Sequence, residues 1–154
     1  MDLSQARDYA FNKLSELRKK DNTMCPALWL KVKFKDEWFS HITYKDDKHR
    51  RSEQEQIERF KCFLRVETII KKSYLYQEFM TREEIVKVRD HWVTKKQKKL
   101  VEYYWLVGVV SHNEVQSRIR VVLRHEKWKD YAEFHSVIPS RKMRWYRNFI
   151  WPTE

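Results

Sequence analysis

Three β-rich runs in the C-terminal third constrain the fold most. They are EYYWLVGVV at 102–110, QSRIRVVLR at 116–124 and YAEFHSVIP at 131–139. Polar turns of a few residues separate them, and strands so spaced pair most simply as an antiparallel meander. Hydrophobic residues make up 42% of the 154-residue chain and aromatics 15%, enough for a packed core, and the length fits one domain, 1–154.

The rest of the chain supplies mainly helices. Leu3, Ala6, Ala10, Leu14 and Leu17 recur at three- and four-residue spacing, which predicts an N-terminal helix within 1–22. Leu28, Leu30, Val32 and Phe34 alternate with Trp29, Lys31 and Lys33, the pattern of a half-buried strand. A short helical turn carrying Trp38, Phe39 and Ile42 follows, then a solvated loop over Asp46–Arg51. Ser52 and Glu55 have capping-box spacing, so a helix starts there and runs through Ile57, Phe60 and Leu64 toward Ile70. Tyr74–Phe79 reads as a short strand. In 81–100, Ile85, Val88 and Trp92 have helical spacing, which predicts a charged helix or an insertion with KKQKK in water. The expected architecture is α+β: an antiparallel meander of about four to five strands, with N-terminal helices packed on one face and a basic-aromatic segment at 141–154.

Charge narrows the function. Lys and Arg number 33 against 22 Asp and Glu, a net +11, which points to a polyanionic partner. Gly108 is the only glycine, so no GxGxxG or Walker loop exists. Cys25 and Cys62 are too few for a disulfide scaffold and fit no zinc spacing; both read as space-filling. No run approaches the ~18 apolar residues of a membrane span, and the charged N-terminus does not read as a secretory signal, so a cytoplasmic protein is expected.

On the strand QSRIRVVLR, Ile119, Val121 and Leu123 share one face, and Arg118, Arg120 and Arg124 the other. The three guanidiniums span about 20 Å, a spacing that suits successive phosphates. The competing reading is an exposed face charged for solubility and against edge pairing. In the next strand, either His135 or Ser136 points to that polar side. His41 and His49 lie among Tyr44, Lys45, Lys48, Arg50 and Arg51. Metal-free RNA cleavage needs a base for the 2′-hydroxyl, cations for the phosphorus-centred charge and an acid for the leaving oxygen; these side chains meet those needs. No carboxylate cluster or HExxH suggests a metal nuclease. Trp29, Trp92, Trp105 and Trp128 could stack on bases.

WFSHI, the basic loop after it, the helix IERFKCFLRVETIIKKSYLYQEF, YYWLVGVV and FHSVIPS together resemble phage and toxin nucleases of the barnase–EndoU–colicin–RelE (BECR) superfamily over roughly residues 28–140. The resemblance implies that His41 is the general acid/base. It implies that Lys45, Lys48 or His49 hold phosphate, that Ser136 supplies a hydroxyl and that Arg118 or Arg120 is the cation on the sheet. The chain departs from the pattern where KKSYLY lacks a proline, where 81–100 is inserted and where the N-terminal helix has no counterpart. The resulting expectation is a ribonuclease without metal or cofactor, acting on tRNA or another RNA. His41, Lys45, His49, Arg120 and Ser136 would catalyse; Lys48, Arg50, Arg51, Arg118, Arg124, His135, Arg141 and Lys142 would bind the nucleic acid. An acidic antitoxin or immunity protein is a further expected partner. The alternative is a basic nucleic-acid-binding or inhibitor module without catalysis.

Overall fold

The computed structural model describes residues 1–112 and 115–139. The order of elements is α1 (Leu3–Lys20), β1 (Met24–Cys25), β2 (Leu30–Lys33), α2 (Trp38–Thr43), α3 (Glu53–Phe63), α4 (Val66–Lys72), β3 (Glu78–Asp90), β4 (Val93–His112), β5 (Val115–Glu126) and β6 (Tyr131–Pro139). The strands form one six-stranded sheet in the order β1-β2-β6-β5-β4-β3. The fold is α+β as expected, but the sheet is mixed and larger than expected. β2 runs parallel to β6, through Lys31–Tyr131, Val32–Ala132 and Lys33–Glu133. The connection from β2 to β6 contains α2 to α4 and β3 to β5, so neither strand's own pattern announces the pairing.

α1 buries Ala6, Ala10, Leu14 and Leu17, the stripe its periodicity predicts. Asp2 and Gln5 close a capping box at its start, and Asp21 ends it in the left-handed region. Ser52 and Glu55 form the predicted capping box of α3. The helix does not continue to Ile70; it breaks at Leu64–Arg65 into α3 and α4. Both pieces keep an apolar side in the core, with Ile57, Phe60 and Phe63 from the first and Val66, Ile69 and Ile70 from the second. Trp38 of α2 stacks on Phe63 at 4.0 Å and packs edge-on against Phe60 and Phe134. These side chains, with Ile119, Val121 and Leu123 of β5, make the main core between helices and sheet.

Gly108 of β4 faces α4. A Cβ built there would lie 2.5 Å from Ile69 Cγ1, so the helix rests where only glycine fits. Beyond Glu133, β6 has no β2 partner. Its edge is closed instead by α2 and by Arg59, which donates to the Val137 carbonyl at 3.0 Å.

Three other expected elements differ. Trp29 sits in the turn before β2 with φ of 56°, and Tyr74, Leu75 and Tyr76 form exposed chain before β3. The 81–100 segment is neither helix nor insertion. It is the far part of a β3–β4 hairpin, paired from Glu78–Trp105 to Asp90–Val93. A two-residue turn, His91–Trp92, closes it, with His91 at φ of 53°. Arg141 and Lys142 lie outside the described residues.

Candidate functional site

The face of the sheet opposite the helices carries a second, smaller apolar cluster of Val86, Val101, Tyr103 and Val122, flanked by Val88, Trp105 and Ile138. Alternation along β5 turns Arg118, Arg120 and Arg124 toward this face, as the sequence predicts. Alternation fails in β6. Leu123 pairs with Phe134, and Val122 with Ser136, so His135 is the extra residue of a β-bulge. Phe134 and Val137 both enter the main core, two positions that strict alternation sends to opposite faces.

The bulge re-aims His135 toward α2. Its ring lies 4.9 Å from that of His41 and edge-on to Tyr103 at 5.2 Å. His41 is in the last turn of α2, where the buried Trp38 and Ile42 fix the helix and leave His41 exposed. The two histidines stand on a cleft of about 510 Å³. Its walls come from the β2–α2 connection and α2 (Lys35, Glu37, His41), the root of the hairpin (Glu84–Lys87 and Tyr103) and the β5–β6 region (Arg124, Glu126, Lys129, Glu133 and His135).

Charges in this cleft are interlocked. Arg124 lies 3.5 Å from Glu84, Glu126 and Glu133, which come from three different strands. These contacts are longer than the 2.7–2.9 Å of a tight charge-assisted bond. Lys35 pairs with Glu133 at 2.8 Å, Lys129 pairs with Glu126, and the Tyr103 hydroxyl donates to Glu84. Burial pushes the Glu133 carboxyl up, but Lys35, Lys129 and Arg124 outweigh it and hold it below the usual range. Burial, then the hydrogen bond to Glu84, pushes the Tyr103 phenol up to about 12. Burial, then His41 and Arg124, push the His135 imidazole down to about 4, so it is neutral at physiological pH.

Of the predicted site residues, the structure gathers His41, His135 and Arg124 at this cleft. Lys45, Lys48, His49, Arg50 and Arg51 stay on the loop after α2 and are not among its walls. That loop is organised by its own contacts. Asp46 accepts from His49 Nδ1 at 2.9 Å, Lys45 pairs with Glu55 at 3.6 Å, and Arg51 donates from Nε to the His41 carbonyl at 3.1 Å. Arg120, whose neighbours across the sheet are Val107 and Ile138, and Ser136, opposite Val122, also lie off the walls, as does Arg118 beside Val109. The Arg120 Nε is buried without a hydrogen-bond partner among the described residues. The arginine strand is therefore not an open phosphate ladder, because Arg124 is caged by carboxylates and Val122 fills the gap between its neighbours.

Sequence reasoning missed Tyr103, Glu84, Glu133, Lys35 and Lys129. Glu133 and His135 are two apart on one strand, a signal that could have been read; the cross-strand partners could not. Burial and Glu58 push the Cys62 thiol up to about 11, and burial raises Cys25, so neither is a thiolate nucleophile at neutral pH. Among the described residues no group of three or more His, Cys, Asp or Glu is placed to hold a metal ion, and no helix is long and apolar enough to cross a membrane. No protein-family model matches the chain, and no match is found among curated proteins or solved structures.

Proposed function

We propose that the cleft is the active site of a metal-independent ribonuclease, of the kind the BECR resemblance implies. The observation that carries this reading is the His41–His135 pair, 4.9 Å apart on a cleft that also holds Arg124 and Lys35. A neutral His135 accepts the proton of a 2′-hydroxyl as its oxygen attacks phosphorus. The P–O5′ bond breaks, and His41, protonated, gives its proton to the leaving oxygen. The products are a 2′,3′-cyclic phosphate and a 5′-hydroxyl, with no water consumed. Arg124 exchanges one of its three 3.5 Å carboxylate contacts for the pentavalent phosphorane, and Lys35 and Lys129 offset its charge. Structured RNA such as tRNA is the substrate to test first.

The test is incubation of the full chain with total tRNA in EDTA. Wild type yields fragments ending in 2′,3′-cyclic phosphate, and His41→Ala or His135→Ala slows cleavage about 10²–10⁴-fold. Intact RNA with wild type overturns the reading.

One observation favours the second reading, a nucleic-acid-binding module without catalysis. The cleft walls carry Glu37, Glu84, Glu126 and Glu133 against Lys35, Lys87, Arg124 and Lys129, so the cleft has no excess of positive charge to draw in a phosphate. Under that reading His41→Ala leaves RNA binding and biological effect intact.

A further inference from the structure

The β3–β4 hairpin continues past the rest of the sheet. β5 accompanies β4 only as far as Val101, opposite Glu126, so the hairpin from Glu83 to Leu100 pairs with nothing but itself. Within it Val86 alone is buried. Isolated two-stranded ribbons are marginal in water, and this one is burdened further. Over 85–99 there are six Lys or Arg and one carboxylate, Asp90. Lys87 sits directly opposite Lys96, a like-charge cross-strand pair that opposes folding. Alternation places Arg89 and Lys98 on the same face, with Ile85 73% exposed beside them. Glu83 answers Lys98 at 3.5 Å, but among the described residues no carboxylate pairs with Lys87, Arg89, Lys95 or Lys96. At the tip, Trp92 is 92% exposed in a turn that His91 enters with positive φ.

A solubility role explains scattered lysines. It does not explain facing lysines, or a bare indole held at the end of a strained turn. A polyanion neutralises the first, and an unpaired base covers the second. The hairpin root, Glu84–Lys87, is also a wall of the histidine cleft, but the basic face lies on the other side of the ribbon from Glu84 and Val86, so arm and cleft meet only at this root. We propose that this hairpin is an arm for single-stranded RNA. Its phosphates lie along Lys87, Arg89, Lys96 and Lys98, and a base stacks on Trp92. Single-stranded rather than duplex RNA follows from the tip, since an indole stacks on a base that is already unpaired. From Lys87 to Trp92 the arm is about 17 Å long at the strand rise. That is the reach of no more than about five nucleotides at 3.4 Å each. The position of this track relative to the cut rests on the ribonuclease reading; the binding does not.

The experiment measures anisotropy of the full chain with a fluorescein-labelled 2′-O-methyl decanucleotide, which lacks the attacking hydroxyl, and with the corresponding dinucleotide. Trp92→Ala weakens decamer binding roughly 5- to 100-fold. Lys87→Gln with Lys96→Gln weakens it too and lowers the salt slope by about 1.4. Trp92→Ala binds the dinucleotide as wild type does, and neither variant melts lower than wild type. A decamer affinity within twofold of wild type in either variant overturns the arm, as does a duplex that outcompetes the decamer. Arm-dependent binding with no tRNA cleavage leaves the arm standing and sinks the ribonuclease reading. Cleavage that arm variants retain in full, with unchanged binding, does the reverse.

Discussion

His135 concentrates the chemistry and the cost of the site in one side chain. Its position comes from a bulge, and a bulge shifts every later residue of β6 by one. Period-two reading therefore found the histidine but left open whether it or Ser136 faces the polar side. Its depressed pKa has a sign that can be worked out. Unfolded His135 binds a proton near its ordinary 6.5, whereas the folded one stays neutral to about 4. Between these values the unfolded state holds more protons, so stability falls as pH drops from 6.5 to 4, by up to about 3 kcal/mol. Thermal melts of wild type and His135→Asn over this range should diverge, the wild type losing stability faster. The same neutrality predicts that kcat/KM for RNA loses its acidic limb only near pH 4 where His135 is the base. Gly108 is the second decisive residue. Gly108→Ala thrusts a methyl into Ile69 and costs about 1–3 kcal/mol in denaturant unfolding. In an Ile69→Ala background, which removes the clashing Cγ1 and Cδ1, the Gly108→Ala cost should largely disappear, a non-additivity that a double-mutant cycle reads.

Helices were the most legible elements because their information is local. The stripe of α1 and the Ser52–Glu55 box each lie within one or a few turns of chain. The hairpin misled for the same reason. Ile85, Val88 and Trp92 fall at helical spacing by chance, and a ribbon with one buried residue shows no strand alternation to contradict it. The cleft was less legible still, since its charges meet through strand register. Glu126 is two residues from Arg124 on β5, but Glu84 and Glu133 reach it from β3 and β6, and no spacing along the chain announces those two. Arg124 consequently belongs to the packing of three strands as much as to any ligand. Arg124→Ala leaves three carboxylates together without their shared cation and should destabilise by about 3–5 kcal/mol at pH 7. Lowering the pH to 5 should return part of that loss by protonating the crowded carboxylates, in contrast to wild type, which only weakens on acidification. Equal losses at both pH values would show that the cage is not electrostatic.

At the scale of the whole molecule, the net +11 resides outside the cleft, whose wall cations and carboxylates balance. Under the proposed function, recruitment of RNA falls mainly to the arm and chemistry to the cleft, with Lys87 where the two meet. Salt separates them. Exposed lysines on the arm lose their hold as counterions compete, and each phosphate contact contributes about −0.7 to the slope of log affinity against log salt for a single strand. Side chains packed in the cleft are screened far less. With four such contacts on the arm, raising the salt from 50 to 200 mM should therefore raise KM for RNA by up to about 50-fold while leaving kcat within about twofold. Trp92→Ala, which removes stacking but no charge, should raise KM and keep the wild-type salt slope. Neutralising Lys87 and Lys96 should raise KM at low salt and flatten the slope. A kcat that falls steeply with salt would place the working cations in the cleft itself, which a balanced set of four Lys or Arg and four Glu gives no reason to expect.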